Sequence, residues 1–71
     1  MADHGPAERV RTLLLRGDNL LKSGRPERLE RARAAFEEAR DAAADPAVDE
    51  RVRELVERRL EALQPLLGED R

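Results

Sequence analysis

Residues 13–39 read LLLRGDNLLKSGRPERLERARAAFEEA, and this stretch predicts two helices joined by a tight turn. Leucines recur at helical spacing before the turn, and alanines with a single Phe36 recur at helical spacing after it. Gly24 suits the left-handed residue that ends a helix, and Pro26 suits the first turn of the next helix. The stretch therefore predicts a helical hairpin whose second helix buries mostly small side chains.

The first helix is expected to begin at Pro6, where a missing N–H is tolerated. Its expected buried face comprises Ala7, Val10, Leu13, Leu14, Gly17, Leu20, Leu21 and Gly24. Leu15 falls outside this arc and should be exposed. Because glycine inside a helix costs about 1 kcal/mol relative to alanine, Gly17 predicts a close approach by another backbone.

The second helix should bury a stripe of small residues around one large one. This stripe comprises Leu29, Ala32, Phe36, Ala39 and Ala43, widened by Ala35 and Ala42. Asp45 and Pro46 read as the cap and first-turn proline of a third helix, so the second should end near residue 44. Pro65 should kink or end the third helix near Gln64.

The third helix carries a broad apolar face. Its members are Val48, Val52, Leu55, Val56, Leu60, Leu63, Leu66 and Leu67. Arg59 projects from the middle of this face. We expect its stem to lie along the apolar surface with the guanidinium in water; an ion pair across an interface is the alternative.

Together these signals predict an all-α, three-helix antiparallel bundle. We expect helices over about residues 6–23, 26–44 and 46–64 in one domain spanning 6–67, with flexible ends at 1–5 and 68–71. The longest apolar run is three leucines, far short of the ~20 residues that span a bilayer, so we expect no membrane partner. The N-terminus lacks a signal peptide, which predicts a cytoplasmic protein.

The composition argues against catalysis. The 71 residues include one His, one Ser and one Thr, with no Cys or Tyr. Adjacent acids such as Glu37 and Glu38 point to different sides of a helix, so they do not form a catalytic pair. His4 is a lone histidine near the terminus, and we therefore expect no enzyme activity, metal, cofactor or small-molecule substrate. The preference for Arg over Lys, with abundant Ala and no Ile, suggests a GC-rich coding sequence of bacterial type.

Charge is abundant but balanced, with 14 basic and 16 acidic residues and a net charge of -2. Basic and acidic residues alternate along the chain, whereas nucleic-acid binders show a basic excess, so no nucleic-acid partner is expected. The spacing predicts ion pairs along the helices, each worth about 0.2–0.5 kcal/mol. The predicted pairs are Glu27/Arg31, Asp49/Arg53, Glu54/Arg58, Glu30/Arg33 and Glu37/Arg40.

The hairpin resembles the tetratricopeptide repeat (TPR) over about 35 of the 71 residues. The matching positions are Leu13, Gly17, Leu20 and Gly24 in the first helix and Ala32, Phe36 and Ala39 in the second. Leu13 and Leu20 replace the family's aromatics, Arg16 replaces a leucine, and the connection is about three residues longer. The proline expected after the second helix arrives slightly late, at Pro46. The third helix would correspond to a capping helix.

The resemblance implies a non-catalytic module that binds a peptide or helix on the concave side of its first helix. The residues it places there are Arg11, Leu14, Asp18, Leu21 and Lys22. The family's carboxylate-binding members need Lys and Asn where Leu14 and Asp18 stand, so capture of a C-terminal carboxylate is not expected. The same five residues also fit plain core and solvated surface.

Self-association is a second expectation, because cores of chains below ~70–80 residues commonly need added support such as an oligomer. We expect a dimer formed by the third helix and Leu15. The candidate contact residues are Leu15, Val52, Arg59, Leu60, Leu66 and Leu67. The alternative function is a helical oligomerisation or docking domain of a larger assembly. A helix-turn-helix regulator is less favoured, because Gly24 leads into Pro26 and Glu27 rather than a recognition helix.

Overall fold

The computed structural model describes residues 5–67; of the predicted flexible ends at 1–5 and 68–71, all but residue 5 lies outside this range. Three helices follow one another: α1 (Pro6–Leu21), α2 (Pro26–Ala43) and α3 (Glu50–Leu63). A short 3-10 helix, Gln64–Leu67, ends the described chain. The predicted all-α three-helix bundle is confirmed. Within residues 5–67, no helix has both the length and the apolar content needed to cross a membrane.

The turn between α1 and α2 forms as its glycine predicts. Gly24 has a φ of 70°, in the left-handed region that glycine adopts without strain. Its N–H donates to the carbonyl of Leu21 at 3.1 Å, and the hydroxyl of Ser23 donates to the carbonyl of Leu20 at 3.2 Å. These bonds satisfy carbonyls that the end of a helix leaves without partners, so the chain reverses within four residues.

The contact between α1 and α2 centres on Phe36 and Gly17. Phe36 is completely buried, and a Cβ built on Gly17 would lie 2.4 Å from the Cε1 atom of its ring. The close neighbour at Gly17 is thus a side chain, where the sequence predicted a backbone. Ala32 and Ala39 flank the ring on α2, each with 0% exposure. Small residues around one large ring let the two helices pack closely along their length.

The start of α3 differs from the prediction. Asp45 does not cap a helix; its Oδ1 accepts from the N–H of Ala47 at 2.8 Å, which closes a local turn. The cap is Asp49, whose Oδ1 accepts from the N–H of Arg51 at 2.9 Å. The turn also inserts Val48 into the core, where it is 2% exposed. Two capping aspartates were available, and the apolar residue between them determined which one begins the helix.

Arg53 ties α3 to the end of α2. Its Nε donates to the carbonyl of Ala43 at 2.8 Å and its Nη2 donates to the carbonyl of Val48 at 3.0 Å. These carbonyls lie at the C-terminal end of α2 and in the following loop, where no intrahelical partner exists. The predicted pair between Asp49 and Arg53 is therefore not made. The end of α3 at Leu63, just before Pro65, agrees with the prediction.

The molecule is thin, with Cα extents of 42 × 23 × 14 Å. Its thinness follows from the packing, because α2 contacts both other helices while α1 and α3 meet over only a short stretch. The core comprises Val10, Leu13, Leu14, Leu29, Ala32, Phe36, Ala39, Ala43, Val48, Val56 and Leu63. The side of α1 and α3 that points away from α2 is left without a covering element among the described residues.

Gly17→Ala should destabilise the fold. Alanine adds about 1 kcal/mol of helix propensity, but its methyl group would meet a ring that is fully buried and cannot move freely, a conflict of about 1–3 kcal/mol. We expect a net loss on the order of 1 kcal/mol in the free energy of unfolding, measured by urea denaturation with circular dichroism. In a Phe36→Leu background the space is vacated, and the same Gly17→Ala change should stabilise. Stabilisation in both backgrounds would contradict the proposed contact.

A candidate interaction face between the first and third helices

An ion pair bridges α1 and α3 where the two helices meet. The guanidinium of Arg59 donates through Nε to Oδ1 of Asp18 at 3.1 Å and through Nη2 to Oδ2 at 3.2 Å. The side chains retain 39% and 34% of their exposure, so the pair lies at the edge of the protein. Arg59 therefore makes the ion pair across an interface that was the alternative prediction for it. The interface joins two helices of the same chain. Such a two-point fork fixes orientation as well as distance.

Two exposed leucines flank this ion pair. Leu15 precedes Asp18 by three residues and is 59% exposed, as its position outside the buried arc predicts. Leu55 precedes Arg59 by four residues and is 37% exposed. Because α1 and α3 run in the same direction, each leucine lies about one helical turn before the bridged residue of its own helix. Both occupy the flank that faces away from α2.

Basic side chains surround the leucines. On α1, Arg11 and Lys22 share the stripe of Leu15, being four residues before it and seven after it. On α3, Arg51 lies four residues before Leu55 and Arg58 lies three residues after it, so both arginines share the stripe of Leu55. All four basic residues are exposed, and neither ion pair found among residues 5–67 includes them. We call these six residues (Arg11, Leu15, Lys22, Arg51, Leu55 and Arg58) the α1–α3 face.

The structure separates the five residues that the TPR resemblance places on the concave side. Arg11 and Lys22 are exposed on the α1–α3 face. Leu14 is 8% exposed and belongs to the core, and Leu21 is half-buried against it. Asp18 carries the ion pair to Arg59. Only Arg11 and Lys22 therefore present uncommitted side chains to a partner, with Leu15 between them.

The six self-association candidates are also divided. Val52 and Leu60 are half-buried and pack against the core of their own chain, which leaves less of them for a second copy. Leu66 is 58% exposed and, with the half-buried Leu67, lines an open cleft near Gly24 at the end of the bundle. Leu15 lies on the α1–α3 face, and Arg59 is engaged with α1.

Leu55, Arg51 and Arg58 were not among the residues singled out in the sequence. Leu55 was assigned to the apolar face of α3, and the two arginines to salt-bridged surface. The signal that could have found them is their spacing, since residues 51, 55 and 58 follow one another by four and three positions. Whether these three residues are exposed together depends on which flank of α3 the core covers, and only the packing of the helices decides that.

The predicted surface ion pairs do not form. Among residues 5–67 the ion pairs are Asp18–Arg59 and Arg33–Glu37, neither of which was among the five predicted. Within the same range, no group of three or more acidic or histidine side chains is arranged to hold a metal ion. The surface charge is thus less internally paired than its spacing suggests, and much of it remains available.

Comparisons with known proteins add no relative. No family model matches this chain, and neither the curated proteins nor the solved structures contain a match. The three-helix bundle is compatible with a helical repeat-like fold.

The ion pair between Asp18 and Arg59 should contribute measurably to stability. A double-mutant cycle with Asp18→Asn and Arg59→Gln should give a coupling of about 0.5–1 kcal/mol, since the pair is bidentate but partly exposed. The matched control is Arg33 and Glu37, a more exposed pair within one helix whose coupling should be about 0.3–0.5 kcal/mol. Urea denaturation at low and high salt measures both. A coupling near zero for Asp18 and Arg59 would show that the contact does not hold α3 on α1.

Proposed function

We propose that this chain is a non-catalytic protein-interaction module that binds a peptide or helix on the α1–α3 face. The observation that carries the proposal is the exposure of Leu15 and Leu55 beside the ion pair that joins Asp18 and Arg59. A lone exposed leucine needs no explanation, but apolar side chains grouped within a rim of polar groups mark interaction sites. The flanking basic residues would orient the bound segment.

The finer part of the proposal is a TPR-like geometry. The support for it is the close packing of Phe36 on Gly17, the left-handed turn at Gly24, and a third helix that packs on the hairpin. In the TPR family, ligands bind along the concave side of the first helix of each repeat. The α1–α3 face lies beside the corresponding residues of this chain, and Arg11 and Lys22 are common to both sets.

Removal of the exposed leucines should abolish partner capture without unfolding the module. We expect lysate proteins retained by the wild-type chain to be lost with Leu15→Ala/Leu55→Ala, since both side chains lie on the outer surface. Exposed substitutions of this kind alter stability by about 0.5 kcal/mol or less, which circular dichroism can verify. Leu14 is unsuitable for such a test, because it belongs to the core.

Leu66→Ala is the matched control, since Leu66 is equally exposed but lies away from the α1–α3 face. Proteins bound to the face should be retained by this control at wild-type levels. An identical set of retained proteins for all three chains would rule out the α1–α3 face as the binding site.

An oligomerisation or docking element is the second candidate function. The observation that favours it is Leu66, which is 58% exposed and lines the open cleft together with Leu29 and Leu67. A copy bound there would cover apolar surface that the described chain leaves open. This candidate would tether copies of the chain, or larger domains, into a homodimer.

If the Leu66 cleft joins two copies, light scattering at low micromolar concentration should give twice the mass of the chain. Leu66→Glu should then return the mass to that of a monomer, because a carboxylate would have to be buried in an apolar contact. Leu15→Glu is the control and should leave the dimer intact. A monomeric mass for the wild-type chain would eliminate this candidate.

A further inference from the structure

The charges of α3 are sorted onto two adjacent flanks of the helix. Glu50, Glu54, Glu57 and Glu61 follow one another by four, three and four residues and form one exposed acidic stripe. Arg51, Leu55, Arg58 and Ala62 have the same spacing and form a second exposed stripe. Only the second stripe adjoins Arg59, and hence the contact of α3 with α1. The arrangement concentrates positive charge on the α1–α3 face.

This positive charge opposes the net charge of the chain. Arg11, Lys22, Arg51 and Arg58 give the face four positive charges, whereas the chain carries -2 overall. Two acids border the face: Glu8, three residues before Arg11, and Glu54, three residues after Arg51 and four before Arg58, so the face keeps a positive excess. Asp18 and Arg59 neutralise each other and add no net charge to the face. A face of this kind attracts acidic groups more strongly than the rest of the surface, whose net charge is negative, so the approach of an acidic partner is directed to one side of the molecule.

We infer that the partner of the α1–α3 face is a separate acidic amphipathic segment, with leucine-type side chains flanked by Asp or Glu. The inference rests on the proposed function and names the chemistry of its partner. Leu15 and Leu55 would receive the apolar residues. The basic residues before and after them would pair with acids at both ends of the segment. The face extends from Arg11 to Lys22 along α1, a distance of about 16 Å at 1.5 Å per residue.

A second copy of the chain fits this face poorly. A two-fold dimer places the same patch on both sides of the contact, so four basic residues would meet their own copies. A head-to-tail copy could offer the acidic stripe of α3 to the basic residues. That stripe consists of four glutamates and has no large apolar side chain that would cover Leu15 and Leu55. Both arrangements leave either the charges or the leucines without a complement, whereas an acidic amphipathic segment satisfies both.

The test is a selection from a displayed library of random 16-residue peptides against the intact 71-residue chain. We expect the enriched peptides to carry net negative charge together with Leu, Ile, Met or Phe. A synthetic enriched peptide should bind in fluorescence anisotropy, and its affinity should fall at least tenfold with Arg51→Glu/Arg58→Glu. Arg51→Gln/Arg58→Gln should give a smaller loss in the same direction, which covers the case in which charge reversal disturbs the helix.

The matched control is Arg28→Glu/Arg31→Glu, which changes the net charge equally on exposed positions of α2. It should leave the affinity within about twofold of the wild-type value, because screening limits the reach of exposed charges to about 10 Å in ordinary buffers. An equal loss in both variants would overturn the inference, since the peptide would then respond only to overall charge.

Other outcomes separate this inference from the proposed function. Neutral or basic peptides that bind and are lost with Leu15→Ala/Leu55→Ala would overturn the acidic partner and leave the interaction face standing. A library that yields no binder would overturn both. Oligomers of the wild-type chain that dissociate with Arg51→Glu/Arg58→Glu would assign the face to a second copy. Binding to phosphatidylserine vesicles lost in the same variant would assign it to anionic lipid instead.

Discussion

The packing of Phe36 against Gly17 is the contact on which the rest of the structure depends. The chain has a single aromatic residue, and its ring is completely buried where α1 offers no side chain at all. With alanines on either side of the ring, α1 and α2 approach closely enough to exclude water from their leucines and valines. The resulting hairpin is the surface on which α3 packs.

Arginine side chains hold α3 in place on this hairpin. Arg53 donates to carbonyls at the end of α2 and in the following loop, and Arg59 binds Asp18 on α1. These contacts act at opposite flanks of α3, while Val56 and Leu63 bury its centre. Because the contact of α3 with α1 is short, the outer flanks of both helices stay open. The face that carries Leu15 and Leu55 is a direct consequence of this limited contact.

Local signals account for what was predictable. Pro26 and Pro65 restrict the backbone, and Gly24 permits the left-handed conformation that ends a helix, so helix ends near them could be read from neighbouring residues alone. The exposure of Leu15 and the burial of Phe36 follow from helical periodicity in the same way. The start of α3 could not be read so simply, since Asp45 and Asp49 are both competent caps. The burial of Val48 selected between them, and burial depends on the whole fold.

The candidate site was only partly predictable. Arg11, Leu15 and Lys22 were named from the sequence, but they were assigned to two different surfaces, and Leu55 with its two arginines was not named. The prediction of surface ion pairs failed because helical spacing permits many exposed pairs of nearly equal energy. Long, solvated side chains form only a few of these pairs. Sequence alone determined the helices, the hairpin turn and the charge sorting along α3, because these depend on residues a few positions apart. Tertiary structure decided which flank of α3 stays open and which acid Arg59 binds, because both depend on groups far apart in the chain that only packing brings together.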